Sequence, residues 1–203
     1  MKIRTSCLLL TALLLAGCWQ KSISPFYTTK DLVSEPKLVR TWREAKDSND
    51  ASDNDRMTWT FTNAGEKRFD LVLQDKNEKH EFEARLFKLG EERFLDLESQ
   101  TRAVSTVPAH HLFKVVELTP DLKLAALSID WVQKWLGNHP GALAHIAIVD
   151  PEHRDDRDKD ELVLTADTKA LQKFVGEHLT DDGFFDKPTV LKNQSVAVTA
   201  NEK

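Results

Sequence analysis

The chain has 203 residues, 28 Lys+Arg against 33 Asp+Glu, and is 40% hydrophobic and 30% charged. That is room for one sizeable domain with its own core, and it excludes a disordered or collagen-like chain. A net charge of −5 with no basic stripe also excludes a nucleic-acid binder, whose affinity comes from lysine and arginine set against phosphate.

Met1-Lys2-Ile3-Arg4 leads into a run from Cys7 to Ala16 that is apolar except for Thr11. A positive start and an apolar stretch of about ten residues read as a secretory signal, well short of the roughly 20 apolar residues a spanning helix needs. The run ends in Leu15-Ala16-Gly17-Cys18, which resembles the lipobox of bacterial lipoproteins. The resemblance implies a diacylglyceryl thioether on Cys18, cleavage between Gly17 and Cys18, and acylation, typically palmitoyl, of the new amino terminus. Ala16 and Gly17 are small enough for a peptidase cleft, and the Cys18 thiol is the nucleophile that takes up the lipid. Two or three acyl chains, at about 0.8 kcal/mol per buried methylene, give stable attachment to a membrane. Trp19 stands where proteobacterial lipoproteins retained in the inner membrane carry Asp, so the resemblance further implies the outer membrane, facing the periplasm.

Cys7 leaves with residues 1–17 and Cys18 becomes a thioether, so the mature chain is expected to hold neither a free thiol nor a disulfide. Removing Lys2 and Arg4 leaves 26 basic against 33 acidic residues, a net charge of −7. Residues 18–36, rich in Ser, Thr, Lys and Pro, read as the lipidated cysteine and a flexible tether that could extend to roughly 55 Å. Residues 37–190 read as a single β-rich periplasmic domain and 191–203 as a disordered tail.

From 37 to 127 the dominant period is two, which predicts an antiparallel meander with strands at 38–43, 58–62, 68–74, 81–88, 93–97, 112–118 and 122–127. Trp59 and Phe61 share one strand face, as do Phe69, Leu71 and Leu73 on the next. Short connections such as Asn63-Ala64-Gly65-Glu66 and Gly90-Glu91-Glu92 predict hairpin neighbours. Ser128 is a candidate N-cap for a helix over 129–136 that Gly137 would close, and Asp167 a candidate N-cap for a helix over 168–179. Strands at 143–149 and 162–165 flank an acidic turn.

About nine short strands predict a mainly β fold with two short C-terminal-half helices, a barrel or strongly curved sheet, because closure removes exposed edges. Leu38-Val39-Arg40-Thr41-Trp42 resembles the first-strand motif of lipocalin-like barrels, in which a Gly and a Trp close the bottom; here Arg40 stands in place of the Gly. The mature chain is also similar to bacterial lipoproteins that carry no assigned activity.

Few residues carry candidate chemistry. Asp156, Asp158, Asp160 and Asp167 imitate the spacing of a calcium loop, but Glu161 replaces the turn glycine and Leu162-Val163-Leu164 is needed as a strand, so no metal is expected. His110 and His111 are adjacent and point to opposite faces of a strand, so joint chelation would need a distant partner such as His80 or His145. There is no Gly-x-Ser-x-Gly elbow and no Gly-rich phosphate loop, and no cofactor is expected. Trp42 and Trp59 are candidates to line an apolar ligand cup, and Trp131 or Trp135, if exposed, would mark a partner surface. The expected function is therefore that of a membrane-anchored envelope lipoprotein, without enzymatic activity, whose domain binds a small apolar ligand or an envelope protein. A purely structural or interaction module is the alternative, and an enzyme with a histidine beside a carboxylate is third.

Overall fold

The computed structural model describes residues 19–45, 56–100, 108–148 and 161–194. The lipidation expected at Cys18, the cleavage after Gly17, the acidic turn and most of the 44–56 loop lie outside them. The strands are β1 Lys21–Ser22, β2 Thr41–Glu44, β3 Thr58–Gly65, β4 Arg68–Gln74, β5 Lys79–Leu89, β6 Glu92–Ser99, β7 His110–Glu117, β8 Leu122–Ala126, β9 His145–Ile148, β10 Glu161–Leu164 and β11 Thr189–Asn193. The helices are α1 Ile129–Asn138 and α2 Thr168–His178.

Strands β2 to β8 form the expected meander, and β11 inserts between β8 and β2, closing an antiparallel barrel of eight strands. The fold is mainly β with two helices and lipocalin-like. The interior takes one face of each strand: Trp59 and Phe61, then Phe69, Leu71 and Leu73, then Phe82, Ala84 and Leu86, with Leu95, Leu97, Phe113 and Val115 from the far wall. One end is closed by tight turns, of which Gly90 at φ 61° makes one possible without a Cβ penalty. At that end a 3₁₀ turn, Pro36–Leu38, precedes β2, and the buried Trp42 donates its indole N–H to the Leu38 carbonyl at 3.1 Å. The Arg40 guanidinium, in the place of the motif's glycine, lies over the Trp42 ring, 5.2 Å from its centroid.

The meander is buried on both faces along β5 to β7, because the helices cover the barrel's outside there. Phe87, Phe94 and Leu112 point outward into a second core with Val132 and Leu136 of α1 and Leu171, Phe174 and Val175 of α2. The α2 N-cap is Asp167, whose side chain accepts the Ala170 amide. Ser128 occupies the α1 N-cap position without a side-chain cap bond, and Gly137 lies inside the helix, which runs to Asn138. Strands β9 and β10 pair antiparallel, and β10 runs parallel to β1, so the three form a small side sheet branching from the barrel where Ser22 pairs with His110.

Two domain boundaries differ from the sequence reading. Residues 19–36 are not a tether: Gln20, Ser22 and Phe26 are buried, β1 is paired on both sides, and Leu32 bridges to Phe87. Nor is 191–193 tail, since Leu191 is fully buried in the strand that closes the barrel. Both segments earn their place by long-range pairing rather than by local pattern.

Candidate functional site

Two side-chain clusters meet at the start of β7, where the adjacent histidines point to opposite faces. His111 points to the barrel interior and His110 to the outer core.

At the interior mouth, Trp19 lies among Phe113 (ring centroids 4.8 Å apart), His111 (5.6 Å), Trp59 (6.0 Å) and Phe82 (6.1 Å). It is half-buried and stops that end of the barrel. Burial pulls the His111 imidazole down to about 4, outweighing its hydrogen bond to the Gln20 carbonyl. It is therefore neutral at neutral pH, with Nδ1 assigned as the donor to Gln20 at 3.3 Å. Gln20 in turn donates to the Leu162 carbonyl of the side sheet at 2.9 Å. The Trp59 indole nitrogen, buried beneath Trp19, has no acceptor among the described residues.

On the outer side, Asp96 is 1% exposed, and its two oxygens are divided between partners. Oδ1 meets His110 Nδ1 at 2.7 Å, and Oδ2 accepts the Phe26 amide at 2.8 Å. Burial lowers the His110 value, but the Asp96 hydrogen bond and charge outweigh it, so the net shift is upward. The same N-terminal segment is held from above by α2: Thr168 donates to the Pro25 carbonyl, and Gln172 donates to the Phe26 carbonyl and to Asp31. Desolvation opposes the charge on Asp31, yet hydrogen bonds from Thr28 and Gln172 hold its carboxyl below the ordinary value. An Asp–His pair is the beginning of a catalytic relay, which requires a nucleophile on the far side of the imidazole. The serine nearest in register, Ser22, donates its hydroxyl proton to the Ser24 carbonyl at 2.9 Å and accepts the Ser24 amide. Through these bonds the pair ties β6 and β7 to the N-terminal segment.

The other sequence candidates are scattered. Trp42 and Trp59 lie in the packed interior, and neither lines the groove of about 620 Å³ at the turn end, between Pro36, Val39, Glu66 and Phe69, or the groove of about 470 Å³ along β3 to β5. His80 contacts Glu78, and His145 bonds the Leu143 carbonyl. Among the described residues no group of three His, Cys, Asp or Glu side chains is placed to hold a metal ion. Trp131 and Trp135 stack at 6.1 Å and are half-buried against Phe174 and His178. Sequence reasoning missed Trp19 and Asp96: the first sits in a segment with no period, and the second is one acid among 33. Comparison of the chain with protein-family models, with curated proteins and with solved structures gives no match.

Proposed function

We propose that this is a lipid-anchored protein of the bacterial envelope, attached through Cys18 and facing the periplasm from the outer membrane, whose barrel serves as a non-enzymatic binding module for an envelope protein. The anchor rests on the Leu15-Ala16-Gly17-Cys18 motif and on Trp19 in the position after the cysteine. One observation favours a protein partner over a carried ligand: the interior is filled by Trp42, Trp59, Phe61, Phe69 and Phe82, and the mouth by Trp19. A closed barrel packed with large side chains leaves its outer surface as the means of recognition. The non-enzymatic reading is supported by the burial of the Asp96–His110 pair and the engagement of the Ser22 hydroxyl.

A second reading, carriage of a small apolar ligand, is favoured by the buried Trp59 indole N–H, without an acceptor among the described residues, which a ligand carbonyl or hydroxyl could satisfy if Trp19 moved aside. Native mass spectrometry of protein recovered from its own envelope separates the two. A protein adduct, or a clean mass with periplasmic crosslinks to one protein, supports the partner reading, and a reproducible small adduct replaces it with ligand carriage. Cys18→Ala tests the anchor separately, since the protein should leave the membrane fraction and lose the lipid mass.

A further inference from the structure

Trp19 is packed, and Cys18 is its covalent neighbour, with Cα atoms about 3.8 Å apart. If Cys18 carries lipid, as proposed above, the acyl chains begin one residue from the barrel mouth with no free chain between. Ser22, four positions on from Cys18, is buried and paired with both β7 and β10, so the anchor point lies within about 14 Å of the side sheet.

That side sheet presents exposed isoleucines on its outer face, around a buried Val163. Register aligns Lys21 with Val163 and Val163 with Ile146, so the three share a face, and Ile148 lies on it two residues farther along β9. Ile146 is 50% exposed and Ile148 49%, and Ile23, next after β1, is 46% exposed. Ile146 lies two strands, or about 10 Å, from Lys21. Three of the five large exposed apolar side chains among the described residues thus gather beside the point where the lipid attaches. Among the described residues this face carries two charges, Lys21 and Glu161, the latter opposite Ile148, and they pair with each other at 2.5 Å.

We infer that the barrel stands on the bilayer in one fixed orientation, with the Trp19 mouth and the outer face of the β1–β10–β9 sheet against the lipid. The opposite mouth, with the turn at Glu66, faces the periplasm. The occupant of the isoleucine face is then a lipid surface, and a zwitterionic one, because a mature chain with a net charge of −7 is repelled by anionic headgroups. Trp59 at the lipid end of β3 and Glu66 just beyond its other end are seven residues apart, about 23 Å along the strand, which is ample for a depth measurement.

The test uses full-length lipidated protein in phosphatidylcholine–phosphatidylethanolamine vesicles. Ile23→Cys, Ile146→Cys and Glu66→Cys are each labelled with an environment-sensitive fluorophore. All three side chains are exposed, so the label displaces no core, and circular dichroism matching the wild type qualifies each variant. The expected result is blue-shifted emission, quenched by spin-labelled lipid, at 23 and 146, and water-like unquenched emission at 66. Water-like emission at all three positions, with a wild type that refuses label, means the barrel swings free and overturns this orientation alone. A wild type that takes label at Cys18 shows an unmodified thiol and removes the anchor reading, and this inference with it. Shielding at 146 that persists in detergent without vesicles assigns the face to a second copy of the chain and overturns the membrane contact.

Discussion

Asp96 lies diagonally across the β6–β7 ladder from His110, and with Oδ1 on the imidazole and Oδ2 on the Phe26 amide it joins two barrel strands to the N-terminal segment. Removing one partner of a buried pair strands the other in a dry site, which costs more than the pair's net contribution. Asp96→Ala should therefore lower unfolding stability by about 3 kcal/mol, read from the urea midpoint at neutral pH. In the same variant the His110 titration followed by NMR should move downward, because burial is then opposed only by the charges of Glu98 and Glu83. An unmoved titration would show that the carboxylate does not set it.

The two adjacent histidines act on stability in opposite senses. His110 is raised in the folded state, so its contribution is fully present below about 6.5 and is lost as pH rises through its folded value. His111 is lowered to about 4, so the unfolded chain takes up a proton below about 6.5 that the folded chain refuses, and stability falls between those two values. Over that window the penalty approaches about 3 kcal/mol, at about 1.4 kcal/mol per pH unit. His111→Phe, which keeps an aromatic ring against Trp19 and Phe82, should flatten this acid limb in a series of denaturant melts from pH 7 to 4. A limb as steep as in the wild type would place the acid sensitivity elsewhere.

The barrel was legible wherever strands alternate beside short turns. Residues 68–74 were predicted with the observed bounds because Phe69, Leu71 and Leu73 alternate with polar neighbours between turn residues. Burial of both faces of β5 to β7 was not legible, since Phe87 and Phe94 look like breaks in the alternation until helices are laid over them. The first and last strands were hidden for a different reason. Lys21–Ser22 is two residues long and Thr189–Asn193 five, and both acquire strand character from partners far away in sequence. The Asp96–His110 pair could have been suspected only from an acid at the centre of Phe94-Leu95-Asp96-Leu97, where a buried charge needs a partner.

The importance of the last strand can be tested by truncation. A chain ending at Pro188 leaves β2 and β8 with unpaired edges and removes Leu191, whose burial contributes about 2 kcal/mol alone. It should aggregate or elute as large oligomers in size-exclusion chromatography. A chain ending at Gln194 retains β11 and should elute and melt like the full mature chain. Equal behaviour of the two truncations would mean that the barrel does not depend on β11 for closure.

Trp19 distinguishes a packed N-terminus from a tether most directly. Its ring contacts Trp59, Phe82, His111 and Phe113 at the mouth, so truncation removes apolar contact and uncovers Trp59 as well. Because Trp19 is half-buried, Trp19→Ala should cost about 2 kcal/mol, roughly half the loss for a fully buried Trp. Trp19→Phe, which keeps a ring in the mouth, should recover most of that loss. Acrylamide should quench the remaining tryptophan fluorescence more strongly in Trp19→Ala, because the 3%-exposed Trp59 gains access to solvent, whereas Trp19→Phe should keep it shielded. A residue in a free tether would change neither the denaturant midpoint nor the quenching, and that outcome would return residues 19–36 to the role their composition first suggested.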